Sequence, residues 1–299
     1  MSRINLHLGV SAAMLVLASV SASFAGPPAA APAGLADAFV AIAGGGAWID
    51  ADGAVNTGTG RTLNATASGE YNITPSLGVQ GDVVYRGRNW SYPGTSSQLD
   101  MHNFEGALHG FTRSEQYLLG VFAQYGDGYL GIADGSLIGV DVSHVFGGVE
   151  GQLFVGNATL YAQAGAKRYA FGDLTTATGY FGTFEARYYL QPNFKIEAHV
   201  GYDTLNDVSS LGYLVGNENT VSLGASGEYR FADTPFSVFA QYDYVKNTLP
   251  SSSSSDQRVL VGVKLNFDSP TLLDRDRSGA SLKPIEPHDF DYFGTLGAL

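Results

Sequence analysis

The chain has 299 residues, with 28 Asp and Glu against 16 Lys and Arg and a formal net charge of −12. That excess of acid excludes a nucleic-acid partner, whose phosphates require a basic surface. There is no cysteine, which excludes a disulfide-stapled scaffold and leaves burial and hydrogen bonding to hold the fold. No run after the first 25 residues is long and apolar enough for a membrane helix. Gly (39), Tyr (17) and Phe (17) recur at short intervals instead, which points to many short strands and tight turns.

Residues 1–25 read as a secretory signal. Arg3 gives the positive start, Val10 to Val20 the apolar middle, and Ser23 and Ala25 the small residues before a cleavage site at Gly26. Residues 26–36, which begin GPPAAAPAG, form a flexible lead-in.

From Asp37 onwards the dominant period is two. Twelve strands are predicted at 37–49, 61–72, 76–88, 101–111, 116–126, 138–154, 159–170, 180–190, 194–203, 219–231, 236–246 and 257–267. The last is the clearest: Val259, Val261, Val263, Leu265 and Phe267 alternate with Arg258, Leu260, Gly262, Lys264 and Asn266. One face is apolar and the other mostly polar, as two different environments demand. The sixth changes phase near Ser143–Gly147, where a bulge is expected.

Connections sort by parity. Those after even-numbered strands are tight, as at Ile73-Thr74-Pro75, Thr112 to Glu115, Val155 to Ala158, Gln191-Pro192-Asn193 and Ala232 to Pro235. Those after odd-numbered strands are longer and polar, as at Asn89 to Asp100, Thr204 to Asn219 and Asn247 to Asp256. Short turns at one end and long loops at the other are the pattern of a transmembrane antiparallel up-and-down β-barrel. Tyr71, Tyr85, Tyr117, Tyr125, Tyr188, Tyr202, Tyr229, Phe231, Tyr242 and Phe267 lie near strand ends, as aromatic girdles at two bilayer interfaces would.

The segment Val259 to Phe267 (VLVGVKLNF) resembles the terminal strand of Gram-negative outer-membrane barrels, and the region 37–267 resembles the porin and opacity-type barrels of alphaproteobacteria, with phrases such as Phe236 to Ala240 and Phe184 to Tyr188 in their style. The resemblance implies a protein of the outer membrane with periplasmic turns, extracellular loops and both termini in the periplasm. It also implies that Val259, Val261, Val263, Leu265 and Phe267 are the signal read by the barrel assembly machinery. The chain departs from the pattern in that 32 residues follow Phe267. Residues 268–299 are polar, contain Pro and lack strand periodicity, so they are expected to form a periplasmic tail separable from the barrel.

By alternation the inner wall carries Glu70, Asp82, Glu105, Glu150, Glu185, Glu197, Asp203, Glu228 and Asp243 together with Arg86, Arg88, Lys167, Arg187, Lys195, Arg230, Arg258 and Lys264. His109 and His199 share that face. The nine acids and eight bases nearly cancel, so the wall should be laced with cross-strand ion pairs. Glu185 and Glu197 on neighbouring strands form a candidate carboxylate pair, but Arg187 and Lys195 beside them favour salt bridges. Ser143 and His144 are adjacent and therefore point to opposite faces, which rules out a local dyad. Asp274-Arg275-Asp276-Arg277-Ser278-Gly279 imitates a calcium loop, but Ile285 stands where the closing carboxylate belongs. No catalytic, metal or cofactor set is expected. The function read from these features is a narrow, weakly cation-preferring pore for small hydrophilic solutes, with acidic outer loops (Asp50-Ala51-Asp52, Asp127) drawing cations to the mouth. The alternatives are a structural or surface-interaction barrel embedded in outer-membrane lipid and, below it, a lipid-modifying enzyme.

Overall fold

The computed structural model describes residues 34–51, 58–91, 98–133, 138–172, 175–210, 213–250 and 252–288. The expected signal and most of the lead-in lie outside them, as does Asp52. Twelve strands, β1 (Gly34–Ala51), β2 (Gly58–Thr74), β3 (Leu77–Ser91), β4 (Gln98–Arg113), β5 (Tyr117–Ala133), β6 (Ile138–Val155), β7 (Ala158–Phe171), β8 (Thr175–Gln191), β9 (Phe194–Ser210), β10 (Tyr213–Arg230), β11 (Phe236–Thr248) and β12 (Ser253–Phe267), are followed by a short helix, α1 (Leu272–Ser278). Every strand pairs antiparallel with its sequence neighbours, and β12 pairs with β1 from Ala38 opposite Phe267 to Ala51 opposite Ser254. The sheet is thus a closed up-and-down barrel with no free edge, so every strand finds a hydrogen-bonding partner on both sides.

Alternation decides which side chains face out. Along β12, Val259, Val261, Val263 and Phe267 are exposed, whereas Arg258 and Leu260 between them are buried. The same holds around the ring. Outward aromatics form two levels, with Tyr117, Tyr188, Tyr229, Phe231, Phe236 and Phe267 near the tight turns and Trp48, Tyr85, Phe104, Tyr125, Tyr180, Tyr202 and Tyr242 further along. Tyr117 and Tyr125 on one strand, and Tyr188 and Tyr180 on another, are eight residues apart. At about 3.4 Å per residue and a tilt of about 40° this is a height of about 21 Å, close to the apolar band of about 25 Å of membrane barrels. Val40, Ile42, Leu108, Val121, Val149, Val200, Val238, Val261 and Val263 fill the band between the girdles.

Three expectations are corrected. First, the long polar connections are largely strand. Thr204–Ser210 belongs to β9, Tyr213–Asn219 to β10 and Ser253–Ser255 to β12. The strands therefore run past the second girdle, and there the outward residues turn charged: Asp50, Arg61, Asp100, Asp127, Asp141, Arg168 and Lys246 are all exposed. Polarity in these segments marks not a loop but strand standing clear of the apolar band. Asp127 accordingly sits within β5, opposite Phe104 and Ser143, and faces outward.

Second, β6 has no bulge at Ser143–Gly147, because its register against β5 and β7 is unbroken there. Val142, His144, Phe146, Glu150, Gln152 and Phe154 all point inward. The apparent change of phase arises because the inner face switches from polar to aromatic. Third, the segment after Phe267 does not stand apart from the barrel but enters it. Asp268 takes a left-handed φ of 67°, a conformation Asp tolerates better than most residues, and the chain turns inward there.

The girdle reading predicts a depth-dependent response. Val261→Arg, in the middle of the apolar band, should lower stability in lipid vesicles by about 2–4 kcal/mol. Asp127→Arg, beyond the girdle, should change it by well under about 1 kcal/mol. Urea titrations of the two variants refolded in the same vesicles check this.

Candidate functional site: a lumen filled by the chain's own C-terminal segment

Each inward-assigned residue lies on the inner wall. Glu70, Asp82, Arg88, Glu105, His109, Glu150, Lys167, Glu185, Arg187, Lys195, Glu197, Asp203, Glu228, Arg230, Asp243 and Arg258 are buried. Arg86, His199 and Lys264 are partly exposed to the interior. The wall pairs with itself as far as it can. Arg86 bonds to Glu105 and Lys167 to Asp203. Lys195 Nζ lies 2.9 Å from Glu197, and Arg187 Nε 2.5 Å from Glu185, so the candidate carboxylate pair is divided between two cations. His109 is held between Asp82 (3.1 Å) and Glu150 (2.7 Å). His199 stands 3.7 Å from Asp243.

The remaining pairing comes from residues 268–288. Thr271 Oγ1 accepts from the Asp274 amide at 3.0 Å and so caps α1. The calcium-like run is therefore a helix, and its charges grip the wall. Arg275 places Nη2 3.2 and 3.1 Å from the two oxygens of Glu228 and bonds to Asn266. Asp276 accepts from Arg187 at 2.6 Å and from Thr159. Arg277 donates to the carbonyls of Gly156 (2.8 Å) and Ala158 (2.9 Å) in the turn between β6 and β7. Leu273 N donates to Pro192 O, 3.0 Å away in the turn between β8 and β9. The helix thus lies across the mouth at the tight-turn end.

Beyond it, Gly279–His288 runs up the lumen as an extended strap. Arg113, itself paired with Glu70, donates to Gly279 O at 3.0 Å. Leu282 packs among Phe111, Leu118, Phe154 and Tyr161. Lys283 reaches Glu185 at 2.6 Å and also pairs with Glu197. Ile285 joins an apolar cluster of Ile49, Trp90, Leu99, Met101, Phe122, Val142, Phe146, Tyr169, Phe171, Ala177, Phe181 and Leu205. Glu286 lies 2.7 Å from Arg88 and also pairs with Arg258. The His288 carbonyl is 3.5 Å from Asn247 Nδ2, one residue from the far end of β11. The strap therefore spans most of the barrel height.

What remains is a cavity of about 290 Å³. One side is small and weakly polar: Ala41, Ala43, Asn64, Thr66 and Ser68 on β1 and β2. The opposite side carries Glu185, Lys195, Glu197, His199, Asp203 and Glu228, Lys264 projects from β12 beside Ala41, and the strap contributes Lys283 and Glu286. Sequence reasoning found the wall but not the strap. The tail has no period, and the near-neutral wall gave no hint that it needed further ions. Among the described residues no group of His, Asp and Glu is arranged to hold a metal ion.

No family model matches the chain, and no curated protein matches it. Solved structures do. An outer membrane channel from Pseudomonas putida F1 superimposes with a TM-score of 0.60 at 13% identity, over 82% of this chain and 100% of that one. The translocator domain of autotransporter NalP from Neisseria meningitidis gives 0.53 at 15% identity, over 86% and 95%. The β domain of the Bordetella autotransporter BrkA gives 0.50 at 16%, over 79% and 100%. The fold is that of Gram-negative outer-membrane β-barrels.

Burial pushes the Glu286 carboxyl up, but Arg258, Arg86, His288 and Arg88 outweigh it and hold it well below the usual carboxylate range. Asp276 is likewise raised by burial and brought below its ordinary value by Arg187 and Arg277. Lys283, opposed by burial, is raised overall by Glu185 and Glu197. Depressed acids stabilise docking in full above their free values of about 4. They release it only as pH falls through the lower docked values. Raised Lys283 stabilises docking in full below its free value of about 10.4 and loses it as pH rises through the docked one. The pairs of Asp276, Lys283 and Glu286 should therefore give way in strong acid and strong base, with protease cleavage within 279–288 rising at both extremes. Cleavage unchanged at both extremes would contradict the assignment.

Arg275→Met removes two charge-assisted bonds from Glu228, which keeps Lys264 at 2.9 Å, and should lower the stability of the refolded protein by about 2 kcal/mol, with loss of strap protection. Thermal denaturation in detergent with parallel proteolysis measures both.

Proposed function

We propose that this protein resides in the outer membrane and provides a narrow passage for small hydrophilic solutes. The observation that carries the reading is the lengthwise division of the lumen. The strap and the rings of Phe122 and Phe146 fill the side of β4 to β6, while the cavity runs beside β8 to β12 and β1 to β3. Twelve strands fall between barrels of about eight, whose interiors fill with side chains, and those of about 16–18, which leave an open channel. A strap inside a ring of this size narrows the lumen without needing to block it.

Among the described residues lining the cavity, Glu185, Glu197, Asp203, Glu228 and Glu286 face Arg86, Lys195, Lys264 and Lys283. One surplus acid gives a weak preference for cations, which salt screens. The tight turns face the periplasm in this reading, and β9 and β10 project from the outer side. Val259, Val261, Val263, Leu265 and Phe267 serve as the signal for the assembly machinery. They lie on the outer face of the strand that closes the barrel.

Single-channel recording of the refolded full chain in planar bilayers tests the proposal. Unit conductance should be small, and the reversal potential under a salt gradient should lie weakly on the cation side and shrink as salt rises. A strong anion preference would overturn the inner-wall reading. Silent insertions would leave a structural or surface-interaction barrel.

A further inference from the structure

The strap is held in an unusual manner. β-Strands bind extended chain through their own backbone, but here the receptor atoms are side-chain amides. Gln80 donates to Leu282 O at 2.8 Å and accepts from Leu282 N at 3.1 Å. Gln124 treats Ile285 in the same way, at 2.8 Å for each bond. Gln163 donates to Lys283 O at 2.9 Å, and Tyr161 Oη lies 3.3 Å from Lys283 N. A carboxamide offers one donor face and one acceptor, which matches the N–H and C=O of a single extended residue. Gln80 and Gln124 are both buried, on β3 and β5. Such bonds recognise main chain, and any extended peptide presents main chain.

We propose that the lumen is a binding tract for an extended peptide segment and that Gly279–His288 is its displaceable resident. The proposal deepens the passage reading, since departure of the strap would widen the lumen, but peptide binding is read independently of conductance. Two kinds of contact set the affinity. Gln80 and Gln124 read the backbone, while Lys283 and Glu286 set register by pairing with Glu185 and Glu197 at one level and Arg88 and Arg258 at another. Pro284 removes one N–H between the two gripped residues, so the chain there cannot add a ladder bond of its own.

The test uses the refolded full chain and a fluorescent synthetic peptide with the sequence of Gly279–His288. The strap-reversal variant Lys283→Glu/Glu286→Arg sets like charges against Glu185, Glu197, Arg88 and Arg258 and leaves the glutamines in place. It should bind the wild-type peptide at least tenfold more tightly than the wild-type chain does. Adding Gln80→Leu and Gln124→Leu should remove at least tenfold of that affinity. In bilayers the reversal variant should show larger unit conductance, which the peptide reduces. Equal peptide binding to wild type and reversal variant, or binding indifferent to the glutamines, overturns the proposal. Peptide capture without conductance supports it and sinks the passage reading instead; conductance without capture does the reverse.

Should the reversal variant fail to fold, hydrogen exchange on the wild-type chain decides. The amides of Leu282 and Ile285 should exchange at least tenfold faster than ladder amides of β3 and β5. Exchange as slow as the ladder would show a strap that never leaves.

Discussion

Charge inside a ring of protein and lipid must find its counter-charge within the ring. That constraint governs this molecule. To the seventeen inward Asp, Glu, Lys and Arg side chains read from alternation the structure adds Asp37, Arg113, Glu218 and Asp256, and water has only a narrow cavity by which to reach them. Wall-to-wall pairs such as Arg86 with Glu105 satisfy some of them. Others are shared with the C-terminal segment: Glu228 binds Arg275 as well as Lys264, Arg187 binds Asp276 as well as Glu185, and Arg88 and Arg258 bind Glu286. These pairs are worth little as net stabilisation against an apolar filling, but much as specification, because losing one partner strands the other. They fix where the C-terminal segment sits.

The barrel is legible in the sequence because its physics is local. A strand between lipid and an inner face must alternate, and Val259 to Phe267 does so without exception on its outer side. The misreadings share one cause, a contrast that depends on surroundings the sequence does not show. Polarity suggests a loop at Thr204–Asn219, but a strand that rises above the apolar band meets water on its outer face and loses its contrast. Apolarity suggests an outward face at Ser143–Gly147, but Val142, His144 and Phe146 line an interior that is itself apolar at that level. The strap is not legible at all. A segment held by long-range pairs from Gln80 to Leu282, or from Arg88 to Glu286, carries no period of its own. The one motif before it, Asp274 to Gly279, fails as a calcium loop for want of a twelfth-position carboxylate. Its helix, Leu272–Ser278, escapes sequence reading because about two turns are too short to show periodicity.

Inner-wall volume then decides where empty space remains. On β5 and β6, Gly126 leaves room for the His144 ring, which a Cβ there would strike. Around it Phe122, Phe146, Tyr169 and Phe181 close that side with rings 4.9 to 6.0 Å apart. On β1 the inward positions between Phe39 and Ile49 are Ala41, Ala43, Gly45 and Ala47, and at Gly45 a Cβ would collide with the Val259 carbonyl across the β1–β12 seam. Small residues on β1 thus serve two ends. They allow the closing strands to approach, and they leave the interior beside the seam unfilled. The cavity therefore reaches from the charged face of β8 and β9 to the pair of strands that completes the ring.

The two kinds of hydrogen bond in the molecule also separate what is permanent from what can move. Opening the wall would expose a row of backbone groups to lipid, where nothing replaces their partners, at several kcal/mol for each unsatisfied group. Withdrawing the strap exposes carboxamides and ions to an interior that water can enter by the cavity, so each lost bond is exchanged for one to solvent at a net cost of about 1 kcal/mol, or up to about 3 for the charged ones. The apolar anchors Leu282 and Ile285 add about 2 kcal/mol each when fully buried. A rigid ring holding a segment by exchangeable contacts is therefore a direct consequence of where lipid is and where water can reach. The same sequence that makes the barrel unopenable from the side leaves its contents removable along the axis.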